Sequence, residues 1–90
     1  MALRITRVVG EGTVQRIDGR LEAEGLAELE RACEEARGPL TLNLEGVLSV
    51  DDRAAGALRR LADGGATLSN VSPYVALRLF RGILPPQARN

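Results

Sequence analysis

The chain has 90 residues, twelve of them arginine and twelve acidic, with one cysteine and no histidine or lysine. A chain of this length makes one domain with a small core, burying roughly 60–65% of the surface that its unfolded form exposes. Balanced charge leaves no net field toward DNA, RNA or an anionic membrane, and the arginines are interspersed with Glu and Asp rather than gathered into a phosphate-tracking stripe. A single Cys33 excludes an internal disulfide and a cysteine-built metal cluster, and without His the commonest metal ligand and neutral-pH base are both missing. Met1 to Arg7 has no apolar run resembling a signal peptide, and no stretch approaches the roughly 20 apolar residues of a membrane span, so a cytoplasmic address is the expectation.

Leu3, Ile5 and Val8 among Arg4, Thr6 and Arg7 predict a strand, Gly10-Glu11-Gly12 a turn, and Thr13 to Ile17 a second strand ending at Asp18-Gly19-Arg20. So short a connection implies an antiparallel hairpin. From Glu22 to Arg37 the period becomes helical, with Leu26, Leu29, Cys33 and Ala36 on one side and Glu24, Glu28, Arg31 and Glu35 on the other. Gly25 weakens the first turn unless close packing requires it, and Gly38-Pro39 stops the helix.

Leu40, Leu42 and Leu44 predict a central strand flanked on both faces, and Gly46 to Val50 a buried loop or short bridge. Asp51 and Asp52 then open a thin helix over Asp52 to Asp63, burying Ala54 or Ala55, Leu58 and Leu61 and exposing Arg53, Arg59 and Arg60. Gly64-Gly65 ends it. Ala66 to Val71 reads as a short strand, and Ser72-Pro73 starts a last helix over Tyr74 to Arg81, with Val75, Ala76, Leu79 and Phe80 inward and Tyr74 over an edge of the core. Gly82 stops that helix, and Pro85-Pro86 separates a domain spanning 1–84 from a flexible tail at 85–90.

The acidic pair suits an N-cap with first-turn charge better than acid–base or metal chemistry, and the usual pairings of nucleophile and base are absent. A non-enzymatic protein without cofactor or metal is expected. Arg53, Arg59 and Arg60 form a basic patch that is either a solvated helix face or a surface reading carboxylates through paired hydrogen bonds. Cys33 reads as a small buried hydrophobe, and Gly10-Glu11-Gly12 is too short for a phosphate loop.

The hairpin ending in Asp18-Gly19-Arg20-Leu21, the helix, the run Leu40-Thr41-Leu42-Asn43-Leu44-Glu45-Gly46-Val47, the Val50-Asp51 junction leading into a helix with Gly56 and Leu61, and Gly65-Ala66-Thr67-Leu68 before a last helix together resemble the STAS domain family. The resemblance covers residues 5 to 84 and rests on the order and spacing of the segments. It implies an α/β STAS-like two-layer fold of order β-β-α-β-α-β-α, with a mixed, mainly parallel four-stranded sheet. The family's pattern continues with a fifth strand and fourth helix, so a shortened form with an open edge near Ala66 to Ser69 is expected.

The function implied is that of an anti-sigma factor antagonist, a protein-binding module of bacterial signal transduction and transcription regulation. Its partner would be an anti-sigma factor or kinase, a stressosome-like component or a transporter component. The docking surface would comprise Ser49, Asp51, Asp52, Arg53, Gly56, Arg59 and Arg60. In the family's pattern a phosphorylated hydroxyl stands where this chain has Arg53, a side chain that cannot accept a phosphoryl group as a hydroxyl does and carries the opposite charge. Ser49 is close in sequence but precedes the helix. The alternatives are a domain sensing a small molecule or nucleotide, and a structural homodimer or transporter-associated subunit joined through the open edge.

Overall fold

Alternating apolar residues at the start of the chain form the expected antiparallel hairpin, but its second strand runs through Asp18-Gly19-Arg20 to Leu21 instead of ending there, because these residues pair with the third strand. β1 (Leu3–Val9) runs antiparallel to β2 (Thr13–Leu21), setting Ile5 opposite Ile17 and Val9 opposite Thr13. The computed structural model describes residues 3–36 and 38–80, except the side chain of Phe80. The expected helix stop at Gly82, the inward Phe80 ring, the Ile83-Leu84 segment and the tail at 85–90 therefore lie outside the described residues.

A 3-10 turn over Ala23–Gly25 leads into α1 (Leu26–Glu35), so the first helix is shorter at both ends than the period implies. Gly25 stands at the N-cap of α1, where the sequence places a weak first turn. A Cβ there would lie 2.5 Å from Leu3 Cδ2, so the turn packs closely against β1 and a larger residue would have to displace the Leu3 side chain. β3 (Leu40–Val50), α2 (Asp52–Asp63), β4 (Thr67–Ser69) and α3 (Pro73–Phe80) follow. The sheet order is β1-β2-β3-β4, with β3 parallel to both β2 and β4.

Two expectations about the third strand are corrected. Residues 46 to 50 are not a loop but continue β3 alongside β2, reaching the pair Leu21 and Val50. The register explains the misreading: Arg16 pairs with Asn43 but Asp18 with Gly46, and Gly19 pairs with Val47 but Arg20 with Ser49. At each step β3 carries one residue more than β2, which is the signature of a bulge. Buried positions on β3 are consequently Leu42, Leu44, Val47 and Val50, so the spacing changes from two to three and the alternation that marks a strand is lost. Gly46 belongs to this device, since a Cβ there would collide with the Asp18 side chain. Gly19, with φ of 102°, supplies the left-handed conformation on the opposing strand.

The second correction concerns the layers. β3 is central within the sheet but is not covered on both faces: the helices pack on one side only. Ile17, Leu21, Leu42, Leu44, Val47 and Val50 from the sheet meet Leu29, Ala54, Ala55, Leu58, Val75 and Leu79 from the helices in one core. The opposite face presents Arg4, Thr6, Val8, Arg16 and Glu45 to solvent. The shortest extent of the molecule, 18 Å, fits one sheet and one layer of helices.

β4 is shorter than expected, because Gly65 takes φ of 116° and Asn70 takes φ of 55°, ending extended structure on both sides of Thr67–Ser69. Ser72 caps α3 as its position implies, its Oγ accepting from Val75 N at 3.2 Å. Tyr74 is half exposed rather than folded over the core, because Val75 and Leu79 already fill the inner face of this short helix.

The hairpin turn is joined to the start of β3 by Thr13 N donating to Pro39 O at 2.8 Å, and a Cβ on Gly12 would strike that same carbonyl. A Cβ on Gly10 would meet nothing within 4 Å. Gly12→Ala is therefore expected to lower stability by about 1–3 kcal/mol, whereas Gly10→Ala stays within about 0.5 kcal/mol. Urea unfolding of the two variants beside the parent checks this contrast, and equal midpoints would contradict it.

Candidate functional site

Asp51 leaves β3 in extended conformation (φ −87°, ψ 177°), which is the backbone that a helix N-cap requires. Its Oδ1 accepts from Ala54 N at 2.8 Å, satisfying one of the free amides of the first turn. Its Oδ2 accepts from Ala23 N at 2.9 Å, and its own N–H donates to Leu21 O at 3.2 Å. One carboxylate thus caps α2 and holds the chain where β2 passes into the first helical segment. The Ala54 N–H is the main cause that holds its pKa below the ordinary carboxylate value; burial opposes this, and Ala23 N–H and the Arg53 charge add to the lowering.

The next residue points outward. Asp52 is exposed, with Oδ1 3.1 Å from Arg78 Nη2. Arg78 also donates from Nε to Val50 O at 3.0 Å, which binds α3 to the end of β3. Arg53 is exposed and makes no side-chain hydrogen bond or ion pair among the described residues. Ser49 is half-buried on β3, paired in register with Arg20.

Gly56 is half-buried, and its missing side chain leaves space that two guanidinium groups use. A Cβ there would lie 3.6 Å from Arg60 Nη1 and 3.8 Å from Arg59 Nη2. Arg60 is exposed as expected, but Arg59 is not a free surface cation: its Nη1 donates to Leu79 O at 2.7 Å. That bond ties α2 to the last described turn of α3. Of the seven residues singled out in the sequence, Asp51, Asp52, Arg53, Gly56 and Arg60 line one end and the outer side of α2. Ser49 adjoins them on β3, and Arg59 turns aside to hold α3.

Arg78 escaped sequence reading because both its partners are more than 25 residues away, a contact with no local signature. Exposed apolar side chains were also missed: Leu48 at the second bulge of β3, and Tyr74 and Leu77 on α3, are 73%, 50% and 63% exposed. The broken alternation at Leu48 was the only available hint. Among the described residues no group of three His, Cys, Asp or Glu side chains is placed to hold a metal ion, and no helix is long and apolar enough to cross a membrane.

Fold and junction together define a two-layer α/β domain whose third strand feeds a carboxylate-capped helix, an architecture consistent with STAS-like topology. Neither the family models nor the curated proteins compared with this chain gave a match.

Three outcomes follow for stability. Asp51→Ala removes the cap and the Ala23 contact and is expected to cost about 1–2 kcal/mol, whereas Asp51→Asn keeps a capping oxygen and costs less at neutral pH. Because the folded pKa of Asp51 is depressed, its charge contributes stability above the unfolded pKa and loses it as pH falls through the folded value. The gap in unfolding free energy between the parent and Asp51→Asn should therefore close below about pH 4, and a gap independent of pH would contradict the assignment. Arg78→Met, which leaves Val50 O without its donor, is expected to lower stability by about 1–2 kcal/mol in the same urea assay.

Proposed function

We propose that the protein is a non-enzymatic protein-interaction module of the STAS type, docking a regulatory partner on the junction of β3 and α2. The observation that carries this reading is the double hydrogen bond of Asp51, which fixes the start of α2 while Asp52 and Arg53 stand outside it. A rigid backbone presenting unlike charges side by side suits recognition of a complementary surface, because little ordering entropy remains to be lost on binding. Leu48 on β3, two residues before Val50, is an exposed apolar side chain close in the chain to this junction.

Arg53 occupies the position that the resemblance gives to a phosphorylated hydroxyl. A permanent cation there makes docking constitutive with respect to that modification, and the partner's contact is an acidic side chain, for which guanidinium offers paired donors. An anti-sigma factor or kinase, a stressosome-like component and a transporter component are the partner classes this reading names.

The deciding experiment compares proteins captured from native lysate by the parent, by Arg53→Glu and by Arg4→Glu, the last a charge reversal on the open face of the sheet. One specific protein retained by the parent and by Arg4→Glu but lost with Arg53→Glu is the expected result. Identical captures by all three would overturn the assignment of the docking surface. Arg53 is exposed, so its reversal should leave stability within about 0.5 kcal/mol, and circular dichroism melting separates loss of binding from loss of fold.

A further inference from the structure

A cavity lies toward the end of α2 opposite Asp51. It is an open cleft of about 420 Å³ between the C-terminal half of α1, the start of β3 and the turn after α2. That volume is within the range of small-molecule sites. Cys33, Pro39, Leu40, Leu61 and Ala66 give it an apolar lining. Gly64 and Gly65 form one wall without side chains; Gly65, at φ of 116°, resists any replacement that would fill the space.

The charges around the cleft are unequal. Glu30 and Glu34 on α1 line it, and neither forms an ion pair among the described residues. Both α1 and α2 end at this cleft, so the negative ends of two helix dipoles converge there, and α1 has no basic residue in its last turn. Among the described residues Arg60 is the cation on the lining, and its Nη1 would lie 3.6 Å from a Cβ on Gly56, one turn nearer the start of α2, so two carboxylates face one guanidinium. The half-buried Cys33 reports the same environment: burial pushes its thiol pKa up, and the carboxylates of Glu30 and Glu34 push it further.

We propose that this cleft binds a small organic cation, its apolar body seated on Pro39, Leu40 and Leu61 and its protonated or quaternary nitrogen facing Glu30 and Glu34. The cleft meets the docking surface only at Arg60, which borders both, and Arg53→Glu leaves the assignment unchanged.

Three ligands with one body and different heads test it: 3-phenylpropylamine, 3-phenylpropanol and 3-phenylpropionate. Binding is read by the amide resonances of Gly38, Gly64 and Gly65 in the full chain, and by slowed alkylation of Cys33, the single thiol. The amine is expected to move those resonances, to protect Cys33, and to bind about tenfold more tightly than the propionate at neutral pH. In the double variant Glu30→Gln, Glu34→Gln, whose changes are on exposed positions, the preference for the amine over the propionate should disappear while the alcohol binds as before. Amine and propionate binding equally to the parent would overturn the proposal. So would an amine that leaves the three glycine resonances and the Cys33 alkylation rate unchanged at millimolar concentration, or a preference that survives the double variant.

Discussion

The carboxylate of Asp51 is the contact on which the arrangement of this molecule most depends. A helix packed on a sheet needs its first turn satisfied, and the strand feeding it must stop at a defined point. Asp51 meets both needs through Ala54 N, and by taking Ala23 N as well it joins the exit from β3 to the exit from β2. These two crossovers leave the same end of adjacent parallel strands, so one side chain spans them. Its depressed pKa follows from the same geometry, because donated N–H groups favour the charged form.

From that junction the remaining structure follows a simple division. One face of the sheet carries the aliphatic residues and receives the helices, and the other is polar and open. Two bulges in β3 keep this division over an 11-residue strand, re-phasing Val47 and Val50 so that both return to the core. Without that re-phasing, a strict alternation begun at Leu42 and Leu44 would send Val47 to the solvent face. Small residues serve the same end on α2, where Ala54, Ala55 and Ala57 are buried and let the helix lie close to the sheet. Arginine takes the joining role at α3: Arg59 and Arg78 each donate to a main-chain carbonyl, and their long stems reach across gaps that no short polar side chain could bridge.

The elements were readable where local chemistry is strong. The hairpin, the cap at Asp51, the bounds of α2 and the Ser72-Pro73 start of α3 rest on alternation, capping and proline geometry, which act within a few residues. Reading failed where a residue answers to something distant. Gly46 looked like a turn glycine but is needed for the approach of Asp18, and Arg59 looked like a surface cation but belongs to Leu79. For the candidate site, the acidic pair and Arg53 were visible as charges at a helix start. Arg78, Tyr74 and Leu77 were not, because nothing near them in the chain sets them apart from ordinary helix positions, and Leu48 was marked only by the broken alternation around it.

By itself the sequence determined which segments are strands and helices, their order, and the cap that starts α2, because periodicity and capping are properties of neighbouring residues. Tertiary structure alone decided that β3 runs unbroken to Val50 and that Asp51 serves two segments at once. It also decided that Glu30 and Glu34 overlook a cleft between two helix ends. These depend on register between strands and on the meeting of residues far apart in the chain, and neither is written in any local pattern.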